Sequence, residues 1–261
     1  MTLFSALLAT VSHGDGQFHV APGEDWGQGR TLYGGITLAL AAHAARLAFP
    51  DLPPLRGAQA AFTGPASGAL TIKPTKVAAG KSSAFVGVDI IAGTGTALRA
   101  TFCYGVARQS MFAHSDLAAP QAAPPDQCPP FFRSQFAPSF TGQFDGRLAG
   151  KVSMLSGSDN PELLTWIRHR DPGVAESDAG LIALADALPP AAMLMFTEPS
   201  PVSTATWSME FLAERYANLG WHLMRTLAEH VGEGYSSQHM NVWDEAGRPL
   251  MVGRQLVTIY R

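Results

Sequence analysis

One order of elements occurs twice in this chain, at a spacing of about 150 residues, and nothing else narrows the fold as much. In the first pass "GQFHVAP" alternates like a strand, and a polar, Gly-rich loop "GEDWGQGR" follows. A long Ala/Leu helix is then expected from about Leu32 to Phe49, stopped by Pro50, Pro53 and Pro54. Four alternating segments come next, "AQAAFTG", "ALTIKPTKVA", "SSAFVGVDIIA" and "ALRATFCYGVA", divided by turns such as "AGK" and "GTGT".

The second pass has the same order. "ELLTWIRHRD" reads as a strand and "SDAGLIALADALPPAAM" as a helix, with Ser177 or Asp178 as N-cap and Leu181, Leu184, Ala185 and Leu188 on one face. Strand-like "STATWSMEFL", "GWHLMRTLAEH", "GYSSQHMNVWD" and "PLMVGRQLVTIY" complete it. A long helix wrapped by an antiparallel sheet, present twice, predicts an α+β fold of two hotdog units in tandem. Each sheet has an edge strand that needs cover, and pairing the two edges gives one continuous sheet. The expected division is residues 1–108 for the first unit and 138–261 for the second. Between them, residues 109–137 form a Pro-rich linker whose Phe131, Phe132 and Phe136 call for burial.

Composition excludes several classes. A formal net charge of -3 and short Lys/Arg runs leave no concentrated basic face for nucleic acid. Cys103 and Cys128 are too few for a disulfide framework or a metal cluster, and Cys103, in an apolar run, reads as a core residue. "HGDGQFH" lacks metal-ligand spacing, so neither metal nor cofactor is expected. No apolar run approaches the ~20 residues that span a bilayer, and "MTLFSALLATVSHGDG" reads as a short amphipathic helix without a basic n-region. The expectation is a cytoplasmic chain with no membrane partner. "GPASG" and "LSGSD" lack the strand–turn–helix setting of a serine-hydrolase elbow. His43 and His239 each stand alone and read as structural.

The ordered set of segments resembles the type II acyl-CoA thioesterases, which have a double hotdog fold. "LYGGITLALAAHA" is similar to the family's first helix entry, where an aromatic residue or histidine precedes two glycines. "LTWIRHRDP" and "LIALADALPPA" resemble the second unit's strand and helix. "WHLMRTLAEHVGEGY" and "VWDEAGRPLMVGRQ" resemble its closing strands. The resemblance implies hydrolysis of a fatty or other acyl-CoA thioester by a homo-oligomer of double-hotdog chains.

Such chemistry needs donors for a developing oxyanion and an oriented water. Gly34 and Gly35 weaken a helix start, yet would let a thioester approach bare N–H groups at the positive end of the helix dipole, with Tyr33 beside them. The competing reading is tight packing of the helix start. Gln255 is a lone amide in the apolar row Met251, Gly253, Val257 and Ile259, where an unpaired amide would cost about 1–3 kcal/mol. The resemblance places the family's catalytic glutamine there, eight residues after Gly247, and the same count from Gly95 reaches Cys103. It also places Thr206 where relatives have an aspartate, as a water-positioning residue, while the polar row Thr204, Thr206, Ser208 and Glu210 could simply be the solvated face of its strand. Threonine is no base near neutral pH, which opens the alternative of a non-catalytic acyl-CoA binding protein that has lost the carboxylate. For the family's threonine the count leaves Thr226 and Glu229 both open. Asp186, in "LADALPPA", could supply the missing carboxylate or could simply cap a loop. A hydratase is disfavoured, because "GGITLALAAH" has no Asp near its His.

Overall fold

A computed structural model describes residues 1–132, 137–174, 177–214 and 218–260. In the first unit α1 (Phe4–Ala9) precedes β1 (Ser12–Gly14) and β2 (Gln17–Val20). A small ribbon of β3 (Gly27–Gln28) and β4 (Thr31–Leu32) leads into α2 (Gly34–Ala48). Then come β5 (Leu55–Phe62), β6 (Leu70–Ala79), β7 (Ser83–Ala92) and β8 (Gly95–Gly105). In the second unit β9 (Phe144–Leu148) and β10 (Glu162–His169) precede α3 (Asp178–Ala185). After them follow β11 (Val202–Phe211), β12 (His222–Gly232), β13 (Tyr235–Asp244) and β14 (Pro249–Ile259).

All strands except the β3–β4 ribbon join one antiparallel sheet, twelve strands wide among the described residues, in the order β1-β2-β6-β7-β8-β5-β11-β14-β13-β12-β10-β9. The order β2-β6-β7-β8-β5 of the first half is matched by β10-β12-β13-β14-β11 in the second. The expected tandem hotdog is therefore present. Its halves join where β5 and β11 pair, with Gln59 opposite Ser208. That pairing removes two exposed edges at once.

Both helices lie on the inner face of the sheet and pack on one another. Most of α2 is fully buried from Gly35 to Ala45, an environment its Ala- and Leu-rich sequence suits. Ser177 caps α3, its hydroxyl accepting the Gly180 N–H at 3.1 Å. Every residue of α3 from Ala179 to Ala185 is buried, so this helix has no solvated face, in contrast to the single apolar face expected. It is also shorter than expected, ending at Ala185. Asp186 is its C-cap, and Pro189 and Pro190 lead into a 3-10 turn, Ala191–Leu194.

The Pro-rich linker packs over the outer face of the second unit. Trp166 Nε1 donates to the Ala123 carbonyl at 2.9 Å and Trp243 Nε1 to that of Leu117 at 2.8 Å. Phe131 and Phe132 pack on the core as their composition requires, while Phe136 lies outside the described residues. The edge strand β9 has no counterpart in the alternation of the sequence. It adds a second hydrogen-bonded neighbour to β10. Cys103 is not a core residue: it is half-buried on the outer face, opposite Phe85, between inward-facing Phe102 and Tyr104.

Candidate active site

The site forms where the start of α2 meets the end of α3. Tyr33 makes that junction rigid. Only 1% of it is exposed, its hydroxyl donates to the Ala183 carbonyl at 3.1 Å, and its ring stacks on Phe140 with centroids 4.1 Å apart. Gly34 and Gly35 bring the α2 backbone against Asp186. A Cβ on Gly35 would lie 2.5 Å from the Tyr33 ring, 2.8 Å from Asp186 Cβ and 3.0 Å from the Ala183 carbonyl oxygen. One on Gly34 would lie 2.8 Å from Asp186 Oδ2. Glycine is required here by close approach, not by an unusual backbone angle.

Asp186 is held by donors from both units. The Gly35 backbone N–H donates to its carboxylate, and Gln255 Nε2 donates to Oδ1 at 2.7 Å. Gln255 Oε1 in turn accepts from Gln238 Nε2 at 2.8 Å, and Gln238 Oε1 accepts the Ala191 backbone N–H at 2.6 Å. Burial pushes the Asp186 carboxyl up to about 7, against the hydrogen bonds from Gln255 and Gly35, which favour the charged form. The residue as a whole is half-buried at the end of α3. A carboxyl poised near neutrality can take a proton from a water held beside it.

The sheet supplies the other wall. Cross-strand partners share a face, so Trp207, Gln255, Gln238 and Ala228 form one inward row across β11, β14, β13 and β12. A bulge interrupts β11, where Thr204 opposes Val257 but Thr206 opposes Leu256. Val257 is fully buried and Leu256 is 39% exposed, so Thr204 shares the inner face with Gln255 while Thr206 points outward.

Residues 22–105 match the family model of the acyl-CoA thioesterase N-terminal domain, and residues 119–259 that of the acyl-CoA thioesterase C-terminal domain. The chain belongs to the acyl-CoA thioesterase family. Among solved structures, it is similar to a conserved hot dog-fold protein of unknown function from Alicyclobacillus acidocaldarius. Identity is 23% and the TM-score 0.87, over 98% of this chain and 97% of that one. It is also similar to the acyl-CoA thioesterase II TesB2 of Mycobacterium marinum, at 16% identity and a TM-score of 0.78, covering 97% and 96%. The tesB protein of Mycobacterium avium subs paratuberculosis gives 12% identity and a TM-score of 0.82, covering 98% of each chain. At these identities the likeness is one of fold. No curated protein matches the sequence.

The structure brings together Asp186, Gln255, Gly34 and Gly35 from the residues that the sequence pattern marks. Two others need correction. Thr206 lines a groove of about 490 Å³ on the outer face, beside Gln59, Arg99 and Arg254, in regular alternation with Ser208 and Glu210, and the bulge before it turns Thr204 inward instead. Tyr33 is shut into the core with its hydroxyl bonded to α3, and it braces the site without facing a ligand. Of the pair left open, Glu229 is bound to Arg254 at 2.6 Å on the surface, and Thr226 is buried opposite Met240. The outward turn of Cys103 likewise ends its correspondence to Gln255, since Phe102 is the inward residue beside it. Gln238 joins the site, and Thr204 the inner face that carries it, from outside the set that sequence reasoning marks. Gln238 is legible as an amide in the row of Met240 and Val242, the signal that marks Gln255, whereas Thr204 depends on the bulge. Among the described residues no His, Cys, Asp and Glu cluster could hold a metal, and no helix is long and apolar enough to cross a membrane.

Proposed function

We propose that this family member hydrolyses acyl-CoA thioesters with Asp186 as general base. The observation that carries the reading is the contact of a near-neutral carboxyl with an inward amide, Gln255 Nε2 on Asp186 Oδ1 at 2.7 Å, at an uncapped helix start. Asp186 takes a proton from water as the water oxygen bonds to the thioester carbon. Gln255 and the Thr204 hydroxyl orient that water. The Gly34 N–H, in the first turn of α2, polarises the carbonyl; that of Gly35 is engaged by Asp186. Collapse of the tetrahedral intermediate breaks the carbon–sulfur bond. The proton on Asp186 passes to the departing thiolate, leaving free acid and CoA. Aliphatic acyl chains suit the Ala- and Leu-lined interior around α2, and we take fatty acyl-CoA as the first substrates to try.

The non-catalytic binding alternative rests on a missing carboxylate, and the contact of Asp186 with Gln255 supports hydrolysis over it. Thiol release from a panel of acyl-CoAs tests the proposal. Asp186→Asn is expected to lower kcat/KM by ~10²–10⁴-fold, the range of a lost general base, and Gln255→Ala to lower it less. Tight acyl-CoA binding without thiol release by the parent would favour the binding protein.

A further inference from the structure

From the hydrogen-bond chain behind Gln255 we infer that Gln238 is a positioning residue that fixes which end of the Gln255 amide faces Asp186. The inference rests on the reading of Asp186 as base.

The polarity follows from the donor at the far end. A backbone N–H can only donate, so the Gln238 atom 2.6 Å from Ala191 N is the amide oxygen. Its –NH2 therefore points to Gln255, which must present its own oxygen at 2.8 Å. The Gln255 –NH2 is left to meet Asp186 Oδ1 at 2.7 Å. Gln238 is 2% exposed and Gln255 3%, so water does not offer either amide a second arrangement. The chain also closes on itself. Ala191 lies five residues after Asp186, across Pro189 and Pro190, so the segment that carries the carboxylate also carries the donor that sets the polarity.

The chemical consequence concerns the charge of Asp186. An –NH2 facing the carboxyl favours its ionised form, whereas a carbonyl oxygen there would favour a protonated acid. Gln238 thus keeps Asp186 a proton acceptor. The groups that face Asp186 are the Tyr33 phenol and the Gly35 N–H from the start of α2, and Gln255 from β14. Gln238 stands behind Gln255 on β13. The Tyr33 phenol is raised well above its ordinary range, chiefly by burial, and stays neutral. Asp186 is accordingly the group that sets the acid limb.

The test is the pH profile of kcat for Gln238→Met and Gln238→Glu, with melting curves and with Asp186→Asn alongside. Met keeps the volume but frees the Gln255 amide to turn. Glu can still accept from Ala191 but attracts the –NH2 of Gln255, which turns its oxygen to Asp186. The expected result is a fall in kcat of about tenfold for Met, with the acid limb moved to higher pH. A larger upward move is expected for Glu, whose added charge acts in the same direction. Should the Met variant fail to fold, Glu decides. A folded variant with lowered melting temperature but parental kcat and acid limb would make Gln238 a packing residue and overturn the inference. Asp186→Asn with parental activity would instead overturn the base reading beneath it.

Discussion

The two halves of the sheet share one topology and differ in what lines it. In the first unit the inner face beside α2 is Val86, Val88, Ile90, Ala100 and Phe102, all apolar and buried. In the second, the matching strands turn Ser236, Gln238, Gln255 and Thr226 inward, all buried as well. A 15-residue helix covers the first face and an 8-residue helix the second. Stopping α3 early places Asp186 level with the amide row. One half is thus built as an apolar core and the other accepts buried polar groups. The two amides are hydrogen-bonded in a chain, whereas the hydroxyls of Thr226 and Ser236 are buried without a partner among the described residues. The division of labour is nonetheless incomplete, because the Gly35 N–H that holds Asp186 comes from the apolar half.

Gly35→Ala attacks that shared contact and should have the largest effect on the fold. The added methyl meets Tyr33, Asp186 and the Ala183 carbonyl within 3.0 Å. Overpacking of this kind costs about 1–3 kcal/mol, read as a lower denaturant midpoint, with activity falling alongside. If Gly35→Ala matched the parent in both, the two units would not depend on close approach at this point.

Next in size is Asp186→Asn, whose effect on stability should have the opposite sign. Because the folded-state pKa of Asp186, about 7, lies above the unfolded value, the native form holds the proton more tightly. The parent therefore loses stability as pH rises between about 4 and 7. The variant has nothing to ionise. Its advantage should be absent near pH 4 and grow to about 1–2 kcal/mol at pH 8, a figure reduced for partial solvent access. A constant difference across pH, followed by urea unfolding, would show that Asp186 is not held near neutrality.

The smallest effect is expected from Thr206→Val on the outer face, within about 0.5 kcal/mol in stability and without loss of kcat. Thr204→Val, two residues away but on the inner face, should reduce kcat. Equal losses from both would mean that the bulge does not separate their faces.

How far the sequence can be read depends on which signals are local. Periodicity is local, and so the long strands, α2, α3 and their repetition are legible in the residue pattern alone, while the short β3, β4 and edge strand β9 are not. Gln255 is legible for the same reason, an amide in an apolar row, and Gln238 carries the same mark. Asp186 can be named but not ranked, because its environment comes from α2, some 150 residues earlier in the chain. Alternation with Ser208 and Glu210 already puts Thr206 on the outer face, and it is the resemblance that points it at the site. Thr204 is the one that alternation misplaces, because one extra residue at the bulge turns it inward.

By itself, then, the sequence determined a tandem pair of helix-and-sheet units and the residue types available for chemistry. It also marked the helix start at Gly34 and Gly35 as built for something close by, without saying what. Tertiary structure alone decided that the close neighbour is a carboxylate, which amide faces it, and which threonine shares its side. Those outcomes depend on the distance between segments far apart in the chain and on the register of one strand, and neither quantity is written in local composition.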